Sequence, residues 1–318
     1  MQRFGAASGS DRDFHNRPVT EAALATARWA DFKQTRFRTE WTMIIDPKKC
    51  VACGNCVAVC PMGAIHIDPE KKRATVNQDE CVECYTCFRG MSTERLNPTM
   101  VRTIRKIGSW LRWRFDPEPD VCPTAAITEQ ELAWPRIVRR AFSDPVVPHE
   151  STGVHGRGTE EVKTNDVTNR VGQDDAGFTV EFGRPTVGVR FWQIQEMTTA
   201  LARMGIEFEK RNPVTSLMAD TKTGEIRSDI LNEKILSAIV EFKTTLNNAP
   251  AVLQKIKEVA KTLDTVVAVG AAARCDEQGE NRLEELLLRE GFTFNRGKTN
   301  LGLGRPSVDI AQARATIG

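Results

Sequence analysis

The residue type that carries chemistry in this chain is cysteine. From position 50 the sequence reads Cys50-Val-Ala-Cys53-Gly-Asn-Cys56-Val-Ala-Val-Cys60-Pro61. Three thiols three residues apart, and a fourth four residues on, gather soft sulfur ligands on one tight loop. Gly54 has no Cβ, so backbone can come close to whatever the loop holds. Pro61 fixes φ at the exit. A second set follows, Cys81-Val-Glu-Cys84-Tyr-Thr-Cys87, and a distant Cys122-Pro123 supplies another Cys-Pro step. The exits echo each other: Cys60-Pro-Met-Gly-Ala-Ile65 and Cys122-Pro-Thr-Ala-Ala-Ile127. The approaches echo too, with Asp46 four residues before Cys50 and Asp79 two before Cys81. Zinc also takes paired C-x2-C steps, but it does not ask for a third cysteine at the same spacing followed by Cys-Pro. Disulfides would suit a small secreted domain, and the first residues do not read as a signal peptide.

These two sets resemble the bacterial dicluster ferredoxin motif, over residues 43–131. In that family three thiolates of one loop hold a 4Fe–4S cube, and the cysteine before proline ligates the other cluster. The resemblance therefore implies two 4Fe–4S clusters. Cys50, Cys53, Cys56 and Cys122 would hold the first; Cys60, Cys81, Cys84 and Cys87 would hold the second. One departure is plain. The family usually leaves three residues before the last cysteine, whereas Cys122 lies 35 residues beyond Cys87.

The ninth cysteine, Cys275, stands between Arg274 and Asp276 with no cysteine near it in sequence, and reads as an incidental thiol. Thiolate ligands and a leftover thiol fit a reducing compartment, so a cytoplasmic location is expected. The 318 residues suggest two domains. Apolar content of 40% and charged content of 27% are those of an ordinary globular protein, and no apolar run approaches membrane-spanning length. Net charge is +2, and between Met43 and Glu131 basic and acidic residues balance at 12 each. Two oxidised clusters with their thiolates would add about four negative charges. Such a module suits a basic docking face on a redox partner and not nucleic acid.

Four segments must position this chemistry. Residues 1–42 are an N-terminal extension: a polar tail, an Ala-rich helix from Thr20 to about Lys33, then an alternating strand from Phe37 to Ile45 that runs into the first loop. Residues 43–135 are the ferredoxin-like module. Within it Ile65, Ile67 and Val76 form a hairpin about Pro69–Lys72, with His66 solvated. An insertion over 88–121 interrupts the second cysteine set. Its stripe Val101, Ile104, Gly108, Leu111 and Phe115, with five basic residues elsewhere, predicts an amphipathic helix. That helix either covers the core or docks a partner or, over 101–115, a membrane surface. Residues 136–177 read as a linker or functional loop, with His149, His155 and Gly156-Arg-Gly158 as candidate proton, metal or anion contacts.

Residues 178–318 read as an α+β domain with helices packed on an open sheet, in a split βαβ order. The fold class of the whole chain is therefore α+β. Thr265 to Val269 reads as a buried strand and Phe292 to Asn295 as a final one. Gly183-Arg-Pro185 recurs as Gly304-Arg-Pro306, which would place Arg184 and Arg305 at helix starts, with Lys298 and Thr299 close by in sequence, as a site for an anionic group.

No Walker loop, dinucleotide fingerprint, nucleophile elbow or zinc-protease helix is present. The reading that follows is an iron–sulfur electron-transfer protein that serves a larger oxidoreductase. Two alternatives stand beside it: a ferredoxin-dependent reductase with a small anionic substrate in the C-terminal domain, and a regulatory protein with structural clusters. The stretch 156–168 resembles a segment of anaerobes' iron–sulfur proteins known as 6-hydroxynicotinate reductase, which would favour the reductase.

Overall fold

The computed structural model describes residues 43–89, 98–111, 121–128, 130–144 and 170–295. The expectations for the tail and helix within 1–42, for His149, His155 and Gly156–Gly158, and for Lys298, Thr299 and Arg305 fall outside these residues.

The first module is built twice from one pattern. β1 (Ile44–Ile45) leads into the first cysteine loop, whose second half winds into α1 (Asn55–Val59). β2 (Ile65–Asp68) and β3 (Arg73–Val76) follow as a hairpin with Ile65 opposite Val76. The second loop ends in α2 (Thr86–Arg89), the insertion holds α3 (Pro98–Trp110), and β4 (Ile127–Thr128) returns to pair antiparallel with β1. The outer strands thus close on each other and the inner strands on each other. Matching hydrogen bonds seal the two halves: Asp46 N–H donates to Ala126 O at 2.8 Å and Asn77 N–H to Ala64 O at 2.7 Å. The approach that matches Asp46 is therefore Asn77, not Asp79. Each side chain caps its turn in the same way, accepting from Lys48 N at 2.9 Å and from Asp79 N at 3.1 Å. In the hairpin His66 is exposed, Ile65 is buried, and Ile67 is left 37% exposed.

The region expected to be a linker begins as a helix. α4 (Ile137–Ser143) buries Val138, Ala141 and Phe142 in the core of the second module. The spacing of apolar residues at 138, 141 and 142 is helical, but the helix is only seven residues long. The rest of the second module follows in order: β5 (Asp175–Phe182), β6 (Val189–Arg190), α5 (Phe191–Ala202), β7 (Glu207–Phe208), α6 (Pro213–Ser216), β8 (Met218–Asp220), β9 (Glu225–Ile226), β10 (Lys234–Ile235), β11 (Ala238–Thr245), α7 (Ala249–Ala260), β12 (Val267–Ala273) and α8 (Arg282–Arg289).

Its main sheet has the order β12-β5-β11-β7 with every pair antiparallel. Strand–helix–strand twice over, with β11 inserted between β5 and β7, is the split βαβ arrangement. Ala176, Phe178, Val180 and Phe182 of β5 share one face with Val240 and Phe242 of β11. That face is covered by Phe191, Ile194, Met197 and Leu201 of α5 and by Val252 and Ile256 of α7. Two details differ from expectation. β12, expected as a buried strand, is the sheet edge, and its Val269 is 41% exposed. Residues 292–295 form no strand.

Candidate metal centre

Each cysteine loop must bend sharply enough to turn three thiols inward, and the backbone shows how. Ala52 and Glu83, both two residues past the first cysteine of their loop, have φ of 55° and 54°. Gly54 and Tyr85, four residues past it, have φ of 82° and 59°. Gly63 and Ala125, three residues past the Cys-Pro cysteine, have φ of 61° and 53°. Left-handed conformations at non-glycine residues cost on the order of 1 kcal/mol each and mark a loop shaped by what it encloses. Sequence alone pointed to such freedom only at Gly54.

The bends sort the cysteines into two groups. Cys50, Cys53, Cys56 and Cys122 surround one cavity, walled by Ile45, Ala74, Ala126 and Ile127. Cys60, Cys81, Cys84 and Cys87 surround a second, walled by Val76, Met43, Ala64 and Ile65. The walls correspond position by position across the repeat. In each cavity three thiols come from one loop and the fourth from the Cys-Pro step of the other half. Among the described residues, no three His, Cys, Asp or Glu side chains converge as a single bound ion would require. Cys275 lies after β12 and lines neither cavity. Cys275→Ser is expected to leave bound iron and visible absorption unchanged, as metal analysis of the variant would show.

Backbone amides point at the sulfurs. Ala64 N–H donates to Cys60 Sγ at 3.3 Å and Ala126 N–H to Cys122 Sγ at 3.1 Å, at matching positions. Cys50 Sγ accepts from Ala52 N and Ala74 N, both at 3.4 Å. Thr86 Oγ1 donates to Cys84 Sγ at 3.4 Å. Burial works against ionisation of the bare thiols. It pushes Cys56 up to about 11, with the thiols of Cys50, Cys53 and Cys122 adding to it. It pushes Cys81 up to about 12, with Glu83 adding to it, and raises Cys84 and Cys87 as well. Burial also acts on Cys122, but the amides of Ala126, Thr124 and Ile127 and the Thr124 hydroxyl outweigh it and hold that thiol below its usual value. Crowded thiols of this kind take on charge together only against bound cations. Four sulfur donors, apolar walls and N–H groups aimed at sulfur fit an iron–sulfur cube.

The second loop is held from outside, by residues that no motif in the sequence singles out. Arg139 of α4, 5% exposed, donates to Gln78 O, Asp79 O and Cys81 O at 3.0, 3.1 and 2.8 Å and pairs with Glu233. Arg136 donates to Gln78 O at 3.0 Å and to Glu83 Oε1 at 2.8 Å. Arg140 lies 4.1 Å over the ring of Tyr85, which is itself buried. From the second module Arg190 pairs with Asp79 at 2.6 Å, Lys234 pairs with Glu80, and Asp229 accepts from Trp134 Nε1–H at 2.7 Å. Gly188 lies against Met62 of the first module, and its φ of 73° together with Ile235 O, 3.0 Å from where a Cβ would sit, favours glycine there. A basic helix just past the last cysteine was the available signal.

Of the expected anion site only Arg184 is among the described residues. Arg184 lies in the turn after β5, not at a helix start, is 54% exposed, and pairs with Glu181 at 3.7 Å. The helix begins only at Phe191, capped by Gln193 Oε1, which accepts from Arg190 N at 2.9 Å. No helix among the described residues is long and apolar enough to cross a membrane.

Comparison with known proteins covers the first module alone. Two ferredoxin-1 sequences of Rhodobacter capsulatus are each 48% identical to this chain over 42 residues. That is 13% of this chain, which spans 62% of the relatives' own length. No solved structure matches. The matched family segment ends before Cys122 and does not reach the second module: residues 42–90 are identified as a 4Fe-4S dicluster domain.

Proposed function

We propose that the protein carries electrons through two 4Fe–4S clusters and serves as the electron-transfer subunit or donor of a larger oxidoreductase. The observation that carries this reading is the sorting of eight cysteines, three from one loop and one from the other half, into two matching cavities. When bound, such clusters exchange single electrons. The residues of this chain do the rest. Cys50, Cys53, Cys56 and Cys122 would anchor one cluster, and Cys60, Cys81, Cys84 and Cys87 the other. The apolar walls exclude water, and the amides of Ala52, Ala64, Ala74 and Ala126 offset negative charge on sulfur without themselves titrating. Cys53 is exposed at the first site, and Val51 beside it is 59% exposed. That side is where a redox partner would come close enough to exchange an electron. The second site lies against the module that holds α4, which makes it the natural exit or source of electrons for whatever that module contacts.

The test is anaerobic. Protein purified without oxygen should contain iron and acid-labile sulfide in equal amounts, lose visible absorption on reduction, and regain it when a one-electron acceptor is added. Protein that holds zinc in place of iron, or iron that does not cycle between oxidation states, would end this reading.

A further inference from the structure

We propose that α3 is a membrane-surface helix, with its apolar side seated among the headgroups of an anionic lipid bilayer and its cations paired with them. The helix faces the wrong way for a core element. Met100, Ile104, Ile107, Trp110 and Leu111 are exposed by 45, 37, 52, 82 and 40%. At 3.6 residues per turn Met100, Ile104, Ile107 and Leu111 fall on one narrow stripe and Trp110 on its margin. Gly108 is the buried position among those described on the helix. The described large apolar side chains of the helix therefore turn to solvent. Of the expected stripe, the Val101 side chain and Phe115 fall outside the described residues, Gly108 is buried, and Ile104 and Leu111 are exposed.

Charge selects the occupant. From Arg95 to Phe115 the sequence has six basic residues, Arg95, Arg102, Arg105, Lys106, Arg112 and Arg114, and no acidic one. An amphipathic helix with aromatic and aliphatic residues on one side, and with basic but no acidic residues on the other, is the pattern of helices that lie in a bilayer interface. Thirteen residues, about 20 Å, are far too few to span. The stripe of Met100, Ile104, Ile107 and Leu111 carries no hydrogen-bonding side chain. A fluid lipid surface accepts such a stripe as it is, whereas a protein partner would need a matching groove. The inference does not depend on what the cysteines bind.

The experiment is flotation of the full-length, metal-loaded protein with two kinds of vesicle: phosphatidylcholine alone, and phosphatidylcholine mixed with phosphatidylglycerol. The protein should float with the mixed vesicles and at least tenfold less with the neutral ones. Ile104→Asp combined with Ile107→Asp should cut flotation at least tenfold with iron per chain unchanged. Replacing Arg102, Arg105 and Lys106 by Gln should abolish the preference for anionic lipid. If the aspartate pair loses iron, Trp110→Ala decides by the same assay, with a drop of several-fold expected. Three results would overturn the proposal: no flotation with either vesicle, equal flotation of the apolar-face variants, or self-association of the protein without vesicles that those variants abolish. The last would make a second copy of this chain the occupant.

Discussion

Cys60→Ala and Cys84→Ala, made singly, are each expected to remove about four of about eight iron atoms per chain, and the double variant should remove no more than either. Cys60→Ala with Cys56→Ala should remove nearly all of it. The reason is the cavity arrangement. Cys60 is four residues from Cys56 in sequence, yet it lines the cavity of Cys81, Cys84 and Cys87. Cys122 likewise lines the cavity of the first loop. Ligation by neighbours in sequence predicts the reverse pattern, with Cys60 and Cys56 acting on the same iron. Losing one thiolate of four exposes a cluster to water and displacement, so each single change should cost a whole cluster rather than one iron. Cys122→Ala should match Cys56→Ala, and the two together should be no worse than either. Iron and sulfide analysis of anaerobically purified variants decides between the patterns. If Cys122→Ala leaves iron unchanged, the distant cysteine is not a ligand and the two-cluster reading fails.

Much of this site could be read from the sequence because ligand spacing is local chemistry. Three cysteines at one interval can only bend into one loop, and the Cys-Pro-x-x-Ala-Ile exits repeat visibly. The hairpin about Pro69–Lys72 was legible for the same reason, as its strands lie within one turn of each other. What was not legible depends on partners far away in sequence. Tyr85 takes the left-handed bend that Gly54 takes in the first loop, with its ring buried beneath Arg140. The match of Asn77 to Asp46 was hidden because a nearby Asp79 resembles Asp46 chemically, and Asp79 instead pairs with Arg190, 111 residues on. β12 looked buried because Val, Ala and Gly run through it. Composition does not say which strand ends a sheet. The second module's topology was legible in outline from the order of its strands and helices, but no motif in it points to a reaction.

The residue that ties those distant parts together is Arg139, and its replacement should have the second large effect. Arg139→Leu is expected to destabilise the protein by about 3–5 kcal/mol, the usual loss when one partner of a buried pair is removed. It should also release iron from the Cys60, Cys81, Cys84 and Cys87 site before the other. Arg139 Nη1 meets three carbonyl oxygens of the turn that leads into the second loop, including that of Cys81 itself, while Nε pairs with Glu233 of the second module. Leucine leaves those three acceptors and a largely buried carboxylate without the donor. The first loop has a milder arrangement at the matching place, where Arg73 Nε donates to Pro47 O at 3.0 Å from an exposed position. Selectivity between the sites is thus the point of the test, since a merely unstable chain would lose both clusters together. Arg139→Lys should recover little, because a point charge cannot reach three carbonyls and a carboxylate at once. Glu233→Gln should be milder, since it leaves the three carbonyl bonds in place. Combining Arg139→Leu with Glu233→Gln should then cost less than the sum of the two, the signature of side chains that act through one contact. Denaturation midpoints, with iron and cluster spectra read separately for each site, measure both effects. Equal loss from the two sites would reduce Arg139 to a general stabiliser, and retention of the second cluster in Arg139→Leu would show that the second loop stands without its brace.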